Sequence, residues 1–189
     1  MKKIAVFASG SGTNAENITR YFSDHHSLHI DSIWTNNPSA GVIQRMANYD
    51  CPVLLFTKRE MQEGVLLEKL QSRAIDGIVL AGFLLLIPPS LVTAFPRQIL
   101  NIHPALLPKY GGKGMYGSRV HEAVYAEGDK ETGITIHYVD KHYDEGAVIF
   151  QAKVALDHQE VPERIALKVH ELEYEHYPKV IEQIFSSYV

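Results

Sequence analysis

The chain has 189 residues, 46% of them apolar and 21% charged, a length and balance suited to one globular domain with a sizeable core. A formal net charge of −4 leaves no basic excess to coat a phosphate backbone, which argues against a general nucleic-acid binder while leaving room for one small anion in a local site. The single cysteine, Cys51, excludes an internal disulfide framework and fits a reducing compartment.

The N-terminal "MKKIAVFASGSG" has a basic start, but its apolar run of about five residues is too short for a signal-peptide core. The longest apolar stretch, "GIVLAGFLLLIPP", stops at a proline pair well short of the roughly 20 residues a membrane span needs. The expected setting is the cytoplasm, with no membrane partner. "KKIAVFAS" reads as a buried strand and "TNAENITRYFSDHH" as a helix opened by Thr13 or Asn14. "LHIDSIWTN" alternates as a second strand, "PSAGVIQRMANYD" as a helix, and "CPVLLF" as a short third strand. "KREMQEGVLLEKLQSRA" reads as one charged amphipathic helix and "DGIVLAG" as an apolar fourth strand. "PPSLVTAFP" is a brief helix leading into the strand "QILNIH". This alternation predicts right-handed crossovers and a doubly wound α/β domain with a mostly parallel, Rossmann-like sheet. After residue 130 the rhythm changes: "TGITIHYVD" and "GAVIFQAKVAL" are two strands joined by "KHYDE", an antiparallel or mixed addition at a sheet edge. A long C-terminal helix from about 161 to 188 closes the chain, with Pro178 a point for a bend.

"SGSGTNA", residues 9–15, lies between the first strand and first helix, where glycines and free helix amides can cradle a phosphate. It also matches the dinucleotide fingerprint, which requires an acidic residue at the tip of the second strand. That tip is "WTNNP", and Asp31 falls inside the strand, so a phosphate-only cradle is favoured. Asn101 and His103 alternate onto one side of a strand that ends at Pro104, at the edge where open α/β sheets bind ligands. An amide donor beside an imidazole suits attack on a carbonyl by an amine, with oxyanion stabilisation and proton transfer. A carboxylate to orient the imidazole could come from Asp140, Asp144 or Glu145, which spacing alone does not separate. His137, inside a strand, reads as a packed or edge histidine, and "HELEYEH" at 170–176 as a solvated helix face. "GMYGSRVHEAV" is taken as loop through residue 121. No metal-ligand spacing and no G-x-S-x-G nucleophile motif is present, so no metal is expected.

The segments "SGSGTN", "AGFLLLIPP", "LNIHPALLPKYGGKG", "GITIHYVDKHYDEGAVIFQ" and "EYEHYP", in this order, resemble the folate-dependent formyltransferases of the phosphoribosylglycinamide formyltransferase type. The resemblance spans essentially the whole chain and implies one formyltransferase domain over 1–189. In it the phosphate-binding part is about 1–100, the folate and catalytic part about 80–160, and the closing helix about 161–188. It implies formyl transfer from 10-formyltetrahydrofolate to glycinamide ribonucleotide in purine synthesis, by a monomer or weak homodimer.

Matched position by position, Asn101, His103 and Asp144 take the catalytic places, with Asp144 raising the pKa of a protonated His103. Gly12, Thr13, Asn14 and Glu173 match the ribonucleotide site, which revises the solvated reading of Glu173. Arg59, Leu84, Leu85, Leu86, Ile87, Asn101, Asp140, Lys141, His142, Tyr143 and Asp144 match folate contacts. "FLLLI" is apolar where some relatives carry arginine, so backbone groups would recognise the pterin. Ser118 stands where many relatives carry histidine. A deformylase, a methionyl-tRNA formyltransferase type and a dinucleotide-binding module remain the alternatives.

Overall fold

The computed structural model describes residues 1–157 and 160–186. Five apolar runs form parallel strands: β1 (Lys2–Phe7), β2 (Leu28–Thr35), β3 (Val53–Leu55), β4 (Gly77–Leu80) and β5 (Ile99–His103). β6 (Glu131–Tyr138) and β7 (Val148–Ala155) add antiparallel at one edge, giving the order β3-β2-β1-β4-β5-β6-β7. Every residue of β4 is buried, as a central strand covered on both faces requires.

The period-two alternation of β1 divides the core into two layers. Ile4 and Val6 join α1 (Thr13–Tyr21) and the closing helix α7 (Pro162–Ser186) on one face, where Ile18, Tyr177 and Phe185 are buried. Ala5 and Phe7 face the other way, onto Trp34, Phe56 and the Leu66 and Leu70 side chains of α4 (Val65–Ser72). Complete burial of a side chain of this size contributes about 2–3 kcal/mol before entropy is counted.

Several helices differ from their expected form. The charged helix expected over 58–74 is two helices, α3 (Lys58–Gln62) and α4, because Gly64 between them takes φ 91°, which a continuous right-handed helix excludes. α1 stops at Tyr21 rather than running to His26, and α2 (Gly41–Arg45) has only five residues. α5 (Pro89–Ala94) forms as expected. Residues 118–121, expected as loop, begin the ten-residue helix α6 (Ser118–Glu127), which buries Val120, His121 and Val124.

α7 runs through Pro178. Proline has no N–H for the carbonyl four residues earlier, that of Tyr174, and Asn17 Nδ2 donates to this carbonyl instead at 3.0 Å. One residue before the proline, the buried Tyr177 hydroxyl donates to the Leu80 and Leu100 carbonyls at 2.9 and 3.3 Å. That contact ties α7 to the last residue of β4 and to the second residue of β5. The expected end of this helix at 188 lies outside the described residues.

Candidate active site

The strand order reverses between β1 and β4, and at such a switch point the loops leaving the carboxyl ends part to form a crevice. A cleft of about 740 Å³ opens there, lined chiefly by residues 10–14, 81–84, 101–104 and 112–118, with α6 and α7 as further walls.

The glycine loop after β1 is held from beneath by the end of β2. Ser9 Oγ donates to Asn36 Oδ1 at 2.8 Å, and Asn37 Nδ2 donates to the Ser9 carbonyl at 3.4 Å. These asparagines occupy the tip where a dinucleotide site would place its acid. Asp31 is buried in β2, 2.7 Å from Arg73 Nε and 3.5 Å from Lys3 Nζ, so it is committed to the fold. Gly12 has φ 78°, and a Cβ there would lie 2.7 Å from Val42 Cα. Its glycine is therefore required by the approach of α2. No side chain caps α1, so its first-turn amides are free to meet an external acceptor, with the positive end of the helix dipole behind them.

Asn14, in that first turn, donates through Nδ2 to Glu173 Oε2 at 2.9 Å, and the same oxygen receives His170 Nδ1 at 2.8 Å. Glu173 is only 5% exposed, so it does not belong to a solvated helix face.

At the end of β5, Asn101 and His103 meet Asp144, which the β6–β7 connection brings back across the strand end. Asp144 takes φ 57°, a left-handed conformation that aspartate tolerates better than most residues. Its Oδ2 accepts the Gly112 amide at 2.9 Å and lies 3.6 Å from His103 Nδ1. Its Oδ1 accepts from Asn101 Nδ2 at 3.4 Å. His103 Nε2 sits 2.7 Å from the Tyr110 carbonyl, which can only accept, so Nε2 carries hydrogen and Nδ1 is the nitrogen left for chemistry.

Burial is the largest influence on His103 and pushes its pKa down. Asp144 pulls upward as expected, and so does the Tyr110 carbonyl, yet the net direction is below the ordinary value. The resting ring is therefore neutral near pH 7, contrary to the expected imidazolium. For Asp144, burial pushes upward, but His137, His103 and the Gly112 amide together hold the carboxyl below its ordinary value.

His137 is packed within β6 as expected, but its contact with Asn101 was not legible in the sequence. Antiparallel register sets it opposite Asn101, only 2% exposed, with Nδ1 on the Tyr138 carbonyl at 2.8 Å and Nε2 3.1 Å from Asn101 Nδ2. It holds the amide through this contact, which only the pairing of β5 with β6 could have revealed. Thr135 fixes the following loop: its Oγ1 donates to the Ala105 carbonyl at 2.7 Å and accepts the Leu107 amide at 2.9 Å.

Of the expected folate segments, Leu84 and Tyr143 line the cleft, whereas Leu85, Leu86 and Ile87 turn away from its lining. Ile87 is buried in the core, and Leu85 packs on it. Asp140 accepts the His142 amide at 2.8 Å in a local turn, with Lys141 and His142 exposed. Arg59 stands apart on α3, 82% exposed and paired with Glu63 at 2.9 Å. Cys51 is no nucleophile: burial pushes its thiol up to about 11.

A doubly wound sheet with an antiparallel edge, a helix-end cradle and an amide–imidazole–carboxylate group in one cleft defines a group-transfer enzyme of Rossmann-like fold. A family model described as formyl transferase matches residues 2–181, and the chain belongs to that family. Phosphoribosylglycinamide formyltransferase of Bacillus subtilis is 35% identical over 190 residues, covering 97% of this chain and 95% of the relative. The solved glycinamide ribonucleotide transformylase 1 of Geobacillus kaustophilus superposes with a TM-score of 0.88 at 37% identity, covering 98% of this chain and 99% of that one. Chloroplastic phosphoribosylglycinamide formyltransferases of Arabidopsis thaliana and Vigna unguiculata are each 42% identical, and the chain spans 64% and 61% of their lengths.

Proposed function

We propose that the chain transfers the formyl group of 10-formyltetrahydrofolate to the amine of glycinamide ribonucleotide, a step of purine synthesis. The observation that carries this reading is the convergence of Asn101, His103 and Asp144 beside the uncapped α1 terminus within one cleft. The phosphate binds the amides of Gly12, Thr13 and Asn14, and Glu173 takes the sugar. The folate head lies against Leu84 and Tyr143, on the other side of Asn101. The working unit is a monomer, or a weak homodimer adding nothing to the cleft, and the single unpaired Cys51 supports a reducing, cytoplasmic setting.

The amine attacks the formyl carbon, and the carbonyl electrons move onto oxygen. Asn101 Nδ2 keeps one hydrogen on His137 and turns the other from its long 3.4 Å contact with Asp144 onto that oxyanion. Neutral His103 takes the proton leaving the amine at Nδ1, through one water, and Asp144 stabilises the imidazolium that forms. The same proton then passes to the folate nitrogen as its bond to the formyl carbon breaks, the oxyanion reforms a carbonyl, and His103 returns to neutral.

The test compares glycinamide ribonucleotide, initiator methionyl-tRNA and water as formyl acceptors. Transfer to the ribonucleotide alone is expected, with His103→Ala and Asn101→Ala each at least ~100-fold slower. Transfer chiefly to tRNA or to water would overturn the substrate assignment, and near-normal turnover in His103→Ala would overturn the mechanism.

A further inference from the structure

The turn that follows β5 holds both His103 and Asp144. The Tyr110 carbonyl accepts from His103 Nε2 at 2.7 Å, and two residues further on the Gly112 amide donates to Asp144 Oδ2 at 2.9 Å. Residues 104–117 belong to no helix or strand, so regular secondary structure does not keep this turn in place. Its approach is fixed from β6 and β7: the Leu107 amide donates to Thr135 Oγ1 at 2.9 Å, and Gln151 Nε2 donates to the Leu107 carbonyl at 3.1 Å. Beyond Leu107, Tyr110 turns its carbonyl onto His103 with φ 58°. Left-handed backbone is unfavourable for a bulky side chain and persists only where surrounding contacts over-determine it.

Those contacts converge on one carboxylate. Asp129 accepts the Tyr110 hydroxyl at 2.8 Å and Lys109 Nζ at 2.7 and 2.8 Å, and the same Nζ lies 4.8 Å over the Tyr110 ring. Burial pushes the Asp129 carboxyl up, but the bonds from Lys109 and Tyr110 hold it below its ordinary value. It is therefore ionised wherever His103 titrates, and both bonds are charge-assisted. Asp129 is itself fixed by the end of α6. Gly128 takes φ 66°, and the Gly128 and Asp129 amides donate back to the Tyr125 and Val124 carbonyls at 3.1 and 3.3 Å. With Lys109 and Tyr110 it lines a second cavity of about 400 Å³, apart from the cleft, so it does not touch a substrate held there.

We propose that Asp129 is a positioning residue for formyl transfer: through the Tyr110 hydroxyl it locks the turn whose carbonyl keeps the His103 hydrogen on Nε2 and leaves Nδ1 open. This rests on the reading of His103 as the group that takes the amine proton. The other tautomer is close at hand, because Asp144 Oδ2 lies 3.6 Å from Nδ1 and would draw the hydrogen there once Nε2 lost its acceptor. A neutral ring with hydrogen on Nδ1 cannot receive the amine proton at that atom. The charged and titratable groups facing His103 are Asp144, His137 on β6, Glu173 on α7 and His121 on α6. The Tyr110 carbonyl acts on the ring beside them, as one of the influences that raise its pKa against burial.

The test reads the ring directly, in the full chain without substrate. Heteronuclear NMR of histidine-labelled enzyme at about pH 8, where the ring is neutral, separates the two tautomers, and His103→Gln identifies the His103 signals. In the wild type the hydrogen should sit on Nε2, and in Asp129→Ala and Tyr110→Phe it should shift to Nδ1. In each of these variants kcat should fall about tenfold to a hundredfold with KM for both substrates within about twofold, because the base is misplaced while binding is spared. The double variant should be no slower than either single one, since both changes remove the same anchor. Loss of the carbonyl also removes an upward influence on His103, so the acid limb of kcat/KM should move to lower pH in Asp129→Ala. Asp129→Asn keeps an oxygen for the Tyr110 hydroxyl and should restore the Nε2–H ring and most of the rate. Wild-type ring signals in Asp129→Ala overturn the proposal whether or not that variant is slow, and so does an acid limb that stays in place or moves toward neutrality. A hydrogen shifted to Nδ1 with undiminished turnover would instead sink the reading beneath it, that His103 takes the amine proton.

Discussion

The two nitrogens of His103 have different work because their partners differ. Nε2–H is anchored on the Tyr110 carbonyl, while Nδ1 faces Asp144 across 3.6 Å, too long for a hydrogen bond and short enough to stabilise a proton arriving there. Burial keeps the ring neutral until the reaction supplies that proton, and Asp144 limits how far the pKa falls. The pH dependence follows with a definite sign. In the proposed mechanism the neutral ring is the working form, so kcat/KM should be full above the His103 pKa and fall about tenfold per pH unit below it. Since burial lowers that pKa, the acid limb should lie below 6.5. Asp144→Asn removes the strongest upward influence, so beyond a lower rate the limb should move to still lower pH. A limb that moves toward neutrality in this variant would show that Asp144 does not act on His103. His137, by contrast, is a positioning residue, since it holds the Asn101 amide and leaves the reacting atoms to its neighbours.

The loop between β1 and α1 contains two glycines with opposite tolerances. A Cβ at Gly10 meets nothing within 4 Å, whereas one at Gly12 would strike both the side chain and the Cα of Val42 and would sit at φ 78°. Gly10→Ala should therefore stay within about 0.5 kcal/mol of wild type in urea denaturation, while Gly12→Ala should lose more than ~1 kcal/mol. Equal stability of the two variants would mean that the α1–α2 approach is softer than the contacts indicate. Periodicity made much of this architecture legible, because β1, β2, β4 and β5 are buried on both faces and bounded by turn residues. Asn101 and His103 could be placed together because strand alternation is a local rule. His137 could not, since its neighbour across the sheet is set by pairing between strands 36 positions apart. α6 hid behind its glycine-rich approach: Val120, His121 and Val124 mark only a narrow buried stripe. The break at Gly64 was hidden in the opposite way, because the apolar face continues across it and only the backbone turns.

Folding this sheet with α6 and α7 over its open end buries two histidines that the unfolded chain exposes, and that links stability to pH. His103 and His121 both have pKa values lowered chiefly by burial. Between 6.5 and those lower values the unfolded chain binds protons that the native chain does not. Their contribution to stability is therefore complete above 6.5 and is lost as pH falls through the folded pKa values. His170 has the opposite sign: its pKa is raised by Glu173, so its contribution is complete below 6.5 and fades as pH rises through its folded value. Asp31 and Asp144, both lowered, lose theirs only below the ordinary aspartate value of 3.8. From about pH 6.5 down to 5, then, His170 has nothing more to add, the aspartates have not begun to titrate, and the buried histidines decide the trend. The urea midpoint should fall steadily over that range. His121→Phe keeps the volume of the ring but removes its titration and its unpartnered buried Nδ1, so the midpoint of that variant should fall less. If the variant and the wild type lose stability equally on acidification, His121 is not the buried neutral ring that the packing of α6 makes it.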